Sequence, residues 1–190
     1  MFHQNFDIKE FYGIANFLHN NFSSNELING AYRTAIGRYY YYAYLTLRGI
    51  ILDNDNRDNV INALKSASSH YLVRDYIFCV GEYLNNKDIK HLAKTLETLH
   101  NLRKKADYKP HENVELQDVN RSKYLVNFID HLIKEVSWGD RRGLSNILNK
   151  LKGEGKLPKL VKNKYNTGKN GNLHIDHITL KNFKHLLNLY

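Results

Sequence analysis

Apolar residues recur at helical spacing through the first 136 positions of the chain. Phe11, Ile14, Ala15 and Leu18 fall on one face of a short amphipathic stretch. Ser23 with Glu26 three residues later has the form of a capping box, and it opens a second, longer helix that runs to about Leu52. The cluster Asp53-Asn54-Asp55-Asn56 is a loop by composition. Beyond it, Val60, Ile61 and Leu64, then Tyr71, Leu72, Tyr76 and Val80, predict one helix, or two broken near Ser66-Ala67-Ser68-Ser69. Asn85-Asn86 is the next punctuation. Ile89, Leu92, Ala93, Leu96, Leu99 and Ala106 mark a further helix, and Pro110 stops it because the residue before a proline is pushed out of the α region. Leu125, Phe128, Ile129, Leu132, Ile133 and Val136 repeat at three and four, the clearest amphipathic pattern in the sequence. Four to five helices joined by mostly short loops predict an all-α fold, an up-and-down bundle over residues 1–137.

After Trp138 the pattern changes. Gly143, Gly153, Gly155, Pro158, Gly168 and Gly171 interrupt the chain, and few large apolar residues lie between Lys152 and Leu173. A short helix near Leu144 to Leu151, a glycine-rich hairpin or loop and a last helix from about Thr179 to Leu189 are expected. Residues 138–190 are read as a small basic extension, either a small α or winged-helix-like appendage or a partly ordered tail folded back on the bundle. Charge singles out the same segment. Of the 28 Lys+Arg and 19 Asp+Glu in the chain, residues 1–137 hold 17 and 16, a net of +1, whereas residues 138–190 hold 11 and 3, a net of +8. Such a segment suits a phosphate backbone or an acidic protein partner.

A chain of 190 residues supports one good core and an extension. The single cysteine, Cys79, cannot form an internal disulfide and sits in an apolar context, so it is read as a small core residue. The N-terminal residues have no signal-peptide pattern, and runs such as Tyr76-Ile77-Phe78-Cys79-Val80 are far too short to span a bilayer, so a soluble, cytoplasmic protein without membrane contact is expected. His174, Asp176, His177 and His185 invite a metal reading, but no cysteine or second tight pair completes a tetrahedral set, and no metal is expected. No glycine-rich phosphate loop is present, which leaves ATP hydrolysis and hydride transfer without support and no cofactor expected.

Two segments carry candidate chemistry. One is Arg33-Thr34-Ala35-Ile36-Gly37-Arg38-Tyr39-Tyr40, in which two arginines flank small residues before a tyrosine pair. The other is Leu99-His100-Asn101-Leu102-Arg103-Lys104-Lys105-Ala106-Asp107-Tyr108-Lys109-Pro110. Together, and in this order, they resemble the HEPN superfamily of helical prokaryotic domains, over roughly residues 10 to 136. The Ala106-Asp107-Tyr108 ending is similar to the branch often paired in genomes with a minimal nucleotidyltransferase. In the nuclease members an arginine is separated from a histidine by four to six residues. After Arg103 those positions hold Tyr108, Lys109 and Pro110, and His111 falls one step too far.

The resemblance implies a homodimer in which two copies of Arg103 share a cleft, and a role in RNA or nucleotide binding within a prokaryotic toxin–antitoxin or defence pair. Arg103 suits the phosphate, because its planar fork stays charged and binds oxygens in pairs. Tyr108 stands within the span where the nuclease branch has its histidine, and Asp107 stands one position before it. Arg33, Arg38, Tyr39, Tyr40, Lys104, Lys105 and His111 complete the candidate binding set. Arg33 and Arg38 are five apart, so one faces the cleft and the other bridges to a carboxylate. Were the cleft catalytic, it would be a metal-independent endoribonuclease using Arg103 with Asp107 and Tyr108, with His111, or with a histidine from elsewhere such as His70 or His100. A DNA-binding regulator working through the basic tail is a further alternative. The likeness also implies that Tyr108 would accept a nucleotidyl group from a partner transferase.

Simpler readings stand beside these. Arg103 and Asp107 are four apart, the spacing of an intrahelical ion pair. The run Tyr39-Tyr40-Tyr41-Tyr42 exceeds a helical turn, so at least one ring must face the core.

Overall fold

In a computed structural model of the protein, residues 7–22, 26–66, 69–162 and 173–175 are described. Among them the chain forms seven helices, α1 (Lys9–Asn21), α2 (Ile28–Asn54), α3 (Asp58–Leu64), α4 (Ser69–Tyr83), α5 (Lys87–Tyr108), α6 (Leu116–Glu135) and α7 (Leu144–Gly153). Two small antiparallel pairs complete it, β1 (Ser137–Trp138) with β2 (Arg141–Arg142) and β3 (Leu160–Lys162) with β4 (Leu173–Ile175). The architecture is the expected helical bundle.

The spine is α2, which packs against α1, α4, α5, α6 and α7. Its sequence explains that position, because Ala31, Tyr32, Ala35, Ile36, Tyr39, Tyr40, Ala43, Tyr44, Leu47 and Ile51 are all buried. Small residues at 31, 35 and 43 let neighbouring helices approach, while the tyrosines fill the space between layers. The helix begins at Ile28 with Leu27 as its N-cap and no side-chain cap. Ser23 of the expected capping box lies outside the described residues. Side-chain caps are found on α5, where Asn86 accepts from the backbone N–H groups of Asp88 and Ile89 at 3.0 and 3.1 Å, and on α6, where Glu115 and Asp118 form a capping box.

The stretch from 60 to 80 is two helices. Pro110 lies two residues beyond the end of α5, as its ring requires. Along α6 the buried stripe is Val119, Ser122, Val126, Ile129 and Leu132, whereas Leu125, Phe128 and Ile133 are only partly buried. The stripe is rotated from the one read in the sequence and faces α2 and α5, on which α6 packs.

The Asp53–Asn56 cluster also departs from its expected character. Asn54 and Asp55 are buried. Asn54 continues α2 and donates to Ile50 O and Ser145 Oγ, at 2.8 and 2.9 Å. The fully buried Asp55 carboxylate receives Arg57 Nε and Nη2 at 2.8 and 2.5 Å and the Tyr76 hydroxyl at 2.8 Å. Arg57 reaches on to Pro158 O at 2.6 Å.

Residues 138–157 share the bundle's core. Leu144, Ile147, Leu148 and Leu151 of α7 are completely buried, and Leu157 is nearly so, with α7 lying on α2 and α6. Gly143, at φ 84°, makes the turn into α7 that a side chain would strain. The hairpin of β3 and β4 matches the hairpin expected in the glycine-rich segment, and the last expected helix, Thr179 to Leu189, lies outside the described residues. So do Asp176, His177 and His185. No helix among the described residues is long and apolar enough to cross a membrane.

The crossing of α4 and α5 depends on Gly81. A Cβ there would sit 2.7 Å from Lys90 Cγ and 2.8 Å from Lys90 N, inside contact distance of the next helix's backbone. Gly81→Ala is therefore expected to destabilise the protein by about 2–3 kcal/mol, as overpacking against backbone does. Urea unfolding checks this, and an unchanged midpoint would show that the two helices separate freely.

Candidate functional site

The residues singled out in the second motif share one face of α5. His100, Arg103, Lys104 and Asp107 are spaced at three, four and seven, which places them in a row. From α2 the row meets Gly37, Tyr40 and Tyr41, and from α4 it meets His70 and Tyr71. A Cβ at Gly37 would lie 3.6 Å from Asp107 Oδ1, an ordinary contact distance. The carboxylate thus rests against the α2 backbone.

Arg103 is the centre of the cluster, with 12% of its side chain exposed. Its Nε lies 2.6 Å from Asp107 Oδ2, the ion pair that the spacing predicts. Its Cζ lies 4.8 Å from the Tyr108 ring centroid, 5.6 Å from that of Tyr41 and 6.0 Å from that of Tyr40. Nη2 also donates to the Tyr41 hydroxyl at 3.4 Å. Burial works against the guanidinium charge, but Asp107 and the hydroxyls of Tyr41 and Tyr108 outweigh it, so the pKa rises and Arg103 stays a cation.

Behind Arg103 two histidines are stacked among tyrosines. The His100 ring lies parallel to Tyr40, with centroids 5.0 Å apart at 20°, and to His70 at 5.9 Å and 16°. His70 Nδ1 is 2.8 Å from the Tyr40 hydroxyl, and its ring packs on Tyr44 at 4.2 Å. Burial lowers both histidines. The surrounding cations Lys104, Arg103 and Arg74, with His70 beside it, carry His100 down to about 4, and Arg103 and Arg48 lower His70 in the same sense. The two imidazoles are therefore neutral acceptors at pH 7 rather than additional charge. Burial, more than any neighbour, also raises the Tyr40 hydroxyl, so it remains a donor.

The other candidates are placed differently. Arg33 turns its whole fork to the C-terminal end of α5 and the loop beyond. Nη1 donates to Ala106 O at 2.7 Å and Lys109 O at 3.3 Å, and Nη2 to Pro110 O at 3.3 Å and Glu112 O at 2.5 Å. Nε donates to Asn29 Oδ1 at 2.7 Å. These partners are carbonyls, not the carboxylate expected for one of the α2 arginines, and they make Arg33 the clamp of the turn that presents Asp107 and Tyr108. Arg38 lies with its Cζ 5.2 Å above the Phe11 ring, and Phe11 in turn stacks on Tyr41, so two rings separate it from Arg103. Tyr39 is fully buried and donates to Asn16 Oδ1 at 2.8 Å, and Tyr40 is fully buried as described. Neither ring offers a face to a base. Lys105 pairs with Asp118 at 2.8 Å, Lys104 has no acidic partner among the described residues, and His111 is exposed in the turn after Pro110. Tyr108 is 64% exposed.

Tyr41, Tyr71 and Arg74 were not foreseen as site residues. Tyr41 was hidden within a tyrosine run, and Tyr71 and Arg74 lie on a helix with no motif. The α2–α5 contact brings Tyr41 to Arg103, and the α4–α5 contact brings Tyr71 to His100 and Arg74 to Glu97.

No protein-family model matches the chain, and no solved structure matches it. Two proteins of Methanocaldococcus jannaschii do. Uncharacterized protein MJ0628 is 28% identical over 142 residues, covering 68% of this chain and 81% of the relative. Uncharacterized protein MJ0992 is 32% identical over 141 residues, covering 68% of this chain and 80% of the relative. With that identity over four fifths of the relative's length, the chain belongs to the family of uncharacterized protein MJ0992.

Proposed function

We propose that the protein is a HEPN-like RNA- or nucleotide-binding module of a prokaryotic toxin–antitoxin or defence pair, acting in the cytoplasm as a homodimer. The observation that carries the reading is the setting of Arg103. A permanently charged fork is held by one carboxylate beside two ring faces, Tyr41 and Tyr108, and next to it on α5 is Lys104, which has no acidic partner among the described residues. A phosphate oxygen competes with Asp107 for the fork, and a base finds a ring beside it. The exposed Tyr108 suits a minimal nucleotidyltransferase partner that would modify it. The motif order across α2 and α5, on a helical bundle, supports the same assignment.

The stacked pair His70 and His100 favours a second reading, a metal-independent endoribonuclease, since a neutral imidazole near Arg103 can accept a proton, as a weak base, from a ribose hydroxyl. Incubation of a labelled structured RNA with the protein in EDTA, beside Arg103→Ala and Arg103→Lys, separates the two. We expect salt-sensitive binding, weakened about ten-fold or more in Arg103→Ala and less in Arg103→Lys, with unaltered circular dichroism and intact RNA. Cleavage by the wild type that Arg103→Ala abolishes would replace the binding reading by the nuclease. No binding to RNA or to mononucleotides would remove both.

A further inference from the structure

The Arg103 cluster does not stop at one nucleotide's width. α4 lies along α5 on the side of His100, and it carries Tyr71, half exposed, edge-on to the His100 ring at 5.6 Å. Arg74 lies with its Cζ 5.6 Å from the Tyr71 centroid. This arginine brings little net charge, because Asp75 and Glu97 hold it at 2.6 and 3.2 Å. It braces the tyrosine ring, and half of the Tyr71 surface is open to solvent. This end of the face therefore presents a ring without a surplus cation, whereas the other end presents Arg103 and Lys104 against Asp107 alone, a surplus of one positive charge.

Rings and cations alternate along the strip in the order Tyr108, Arg103 with Lys104, Tyr71. The eight residues from Tyr108 to His100, against which Tyr71 rests, span about 12 Å of helix axis. A stacked strand advances about 3.4 Å per nucleotide, so the strip matches the rise of about three stacked nucleotides. Stacking platforms beside a cationic stretch are what an unpaired strand requires, since every base has a face and every link a phosphate. A duplex cannot use Tyr71, because its bases are already covered by their neighbours.

We infer that Tyr71 is a base-stacking platform that extends the Arg103 site along α4 and α5, so that the ligand is a single-stranded RNA segment of at least two nucleotides rather than a free nucleotide. This rests on the nucleic-acid reading of the Arg103 site.

The test is fluorescence anisotropy with a labelled single-stranded oligoribonucleotide, the same sequence as a duplex, and AMP and ATP as competitors. Wild type, Tyr71→Ala and Tyr71→Phe are compared. The expected results are preference for the single strand over the duplex and over either mononucleotide, loss of about ten- to a hundred-fold in Tyr71→Ala, and near wild-type affinity in Tyr71→Phe, which keeps the ring. The circular dichroism and melting temperature of Tyr71→Ala stay as in wild type, which a disturbed fold would not allow. Equal affinity of Tyr71→Ala and wild type for the single strand overturns the inference and leaves the Arg103 site standing, as does equal binding of duplex and single strand. Absence of binding to every probe by the wild type overturns the nucleic-acid reading itself.

Discussion

Asp55→Asn is expected to lower the unfolding free energy at pH 7 by about 3 kcal/mol, and the melting temperature by about 6–12 °C. The carboxylate has no exposed surface and answers two guanidinium donors and the backbone N–H of Arg57 and the hydroxyl of Tyr76. Asparagine keeps the volume and one acceptor for Tyr76, but it leaves Arg57 without its counter-charge. Breaking a buried pair by removing one partner costs about 3–5 kcal/mol, and the lower end applies because 36% of the Arg57 side chain reaches solvent. The same group gives the protein an acid limit. Burial alone would raise the Asp55 pKa, but the hydrogen bonds from Arg57 and Tyr76 outweigh burial and hold the group below the ordinary carboxylate value. A group depressed in the folded state contributes its full stability above the unfolded pKa, near 4, and loses it as the pH falls through the lower folded value. Wild-type stability should thus decline from about pH 4 downward, with a shallower decline in Asp55→Asn. Thermal melts of both proteins from pH 7 to pH 2.5 decide it, and equal melting points at pH 7 with parallel acid limbs would sink the claim.

Arg33→Ala is expected to cost about 2–4 kcal/mol and to loosen the turn from Ala106 to Glu112. A helix leaves its last carbonyls without intrahelical partners, and α5 has no glycine C-cap to satisfy them. One guanidinium does so instead, donating to carbonyls of Ala106, Lys109, Pro110 and Glu112. Bonds from a charged donor contribute about 1.5–3 kcal/mol each when desolvated, and water replaces the more exposed ones at Lys109 and Pro110. Arg33→Lys should recover little, since an ammonium cannot reach both branches of the turn. Native-state hydrogen exchange gives the sharper readout. Amides of residues 109–114 should exchange much faster in Arg33→Ala while those of α6 change only with global stability, and uniform acceleration across the protein would contradict the clamp.

These two residues also show where the sequence was readable and where it was not. Helix order and most boundaries follow from the three- and four-residue spacing of apolar positions and from Pro110, which act within a turn or two of chain. Arg103 with Asp107 was legible for the same reason, because four residues on a helix fix a contact. Arg33 was legible as an important arginine but not as a clamp, since its partners are main-chain carbonyls 73 to 79 positions away and carbonyls leave no signature in a sequence. Asp55 sits in a string of Asp and Asn that composition assigns to solvent. Its burial depends on Tyr76, 21 residues on, and on Arg57, which the string itself hides. His70 and His100 could be named as candidates, but their stacking on Tyr40 is set by three helices meeting. The rotation of the α6 stripe has the same origin, because six apolar positions fit more than one face and only the neighbouring helices choose between them.

The burial of α7 sets the smallest unit that inheritance or engineering can handle as a piece. A gene shortened at codon 137 would strip the leucine-rich cover from α2 and α6 and leave Arg57 without the carbonyl of Pro158, so its product would be sticky rather than merely shorter. Fusions, tags and recombination joints belong beyond Pro158, so that α7 stays on α2 and α6 and Arg57 keeps its carbonyl partner.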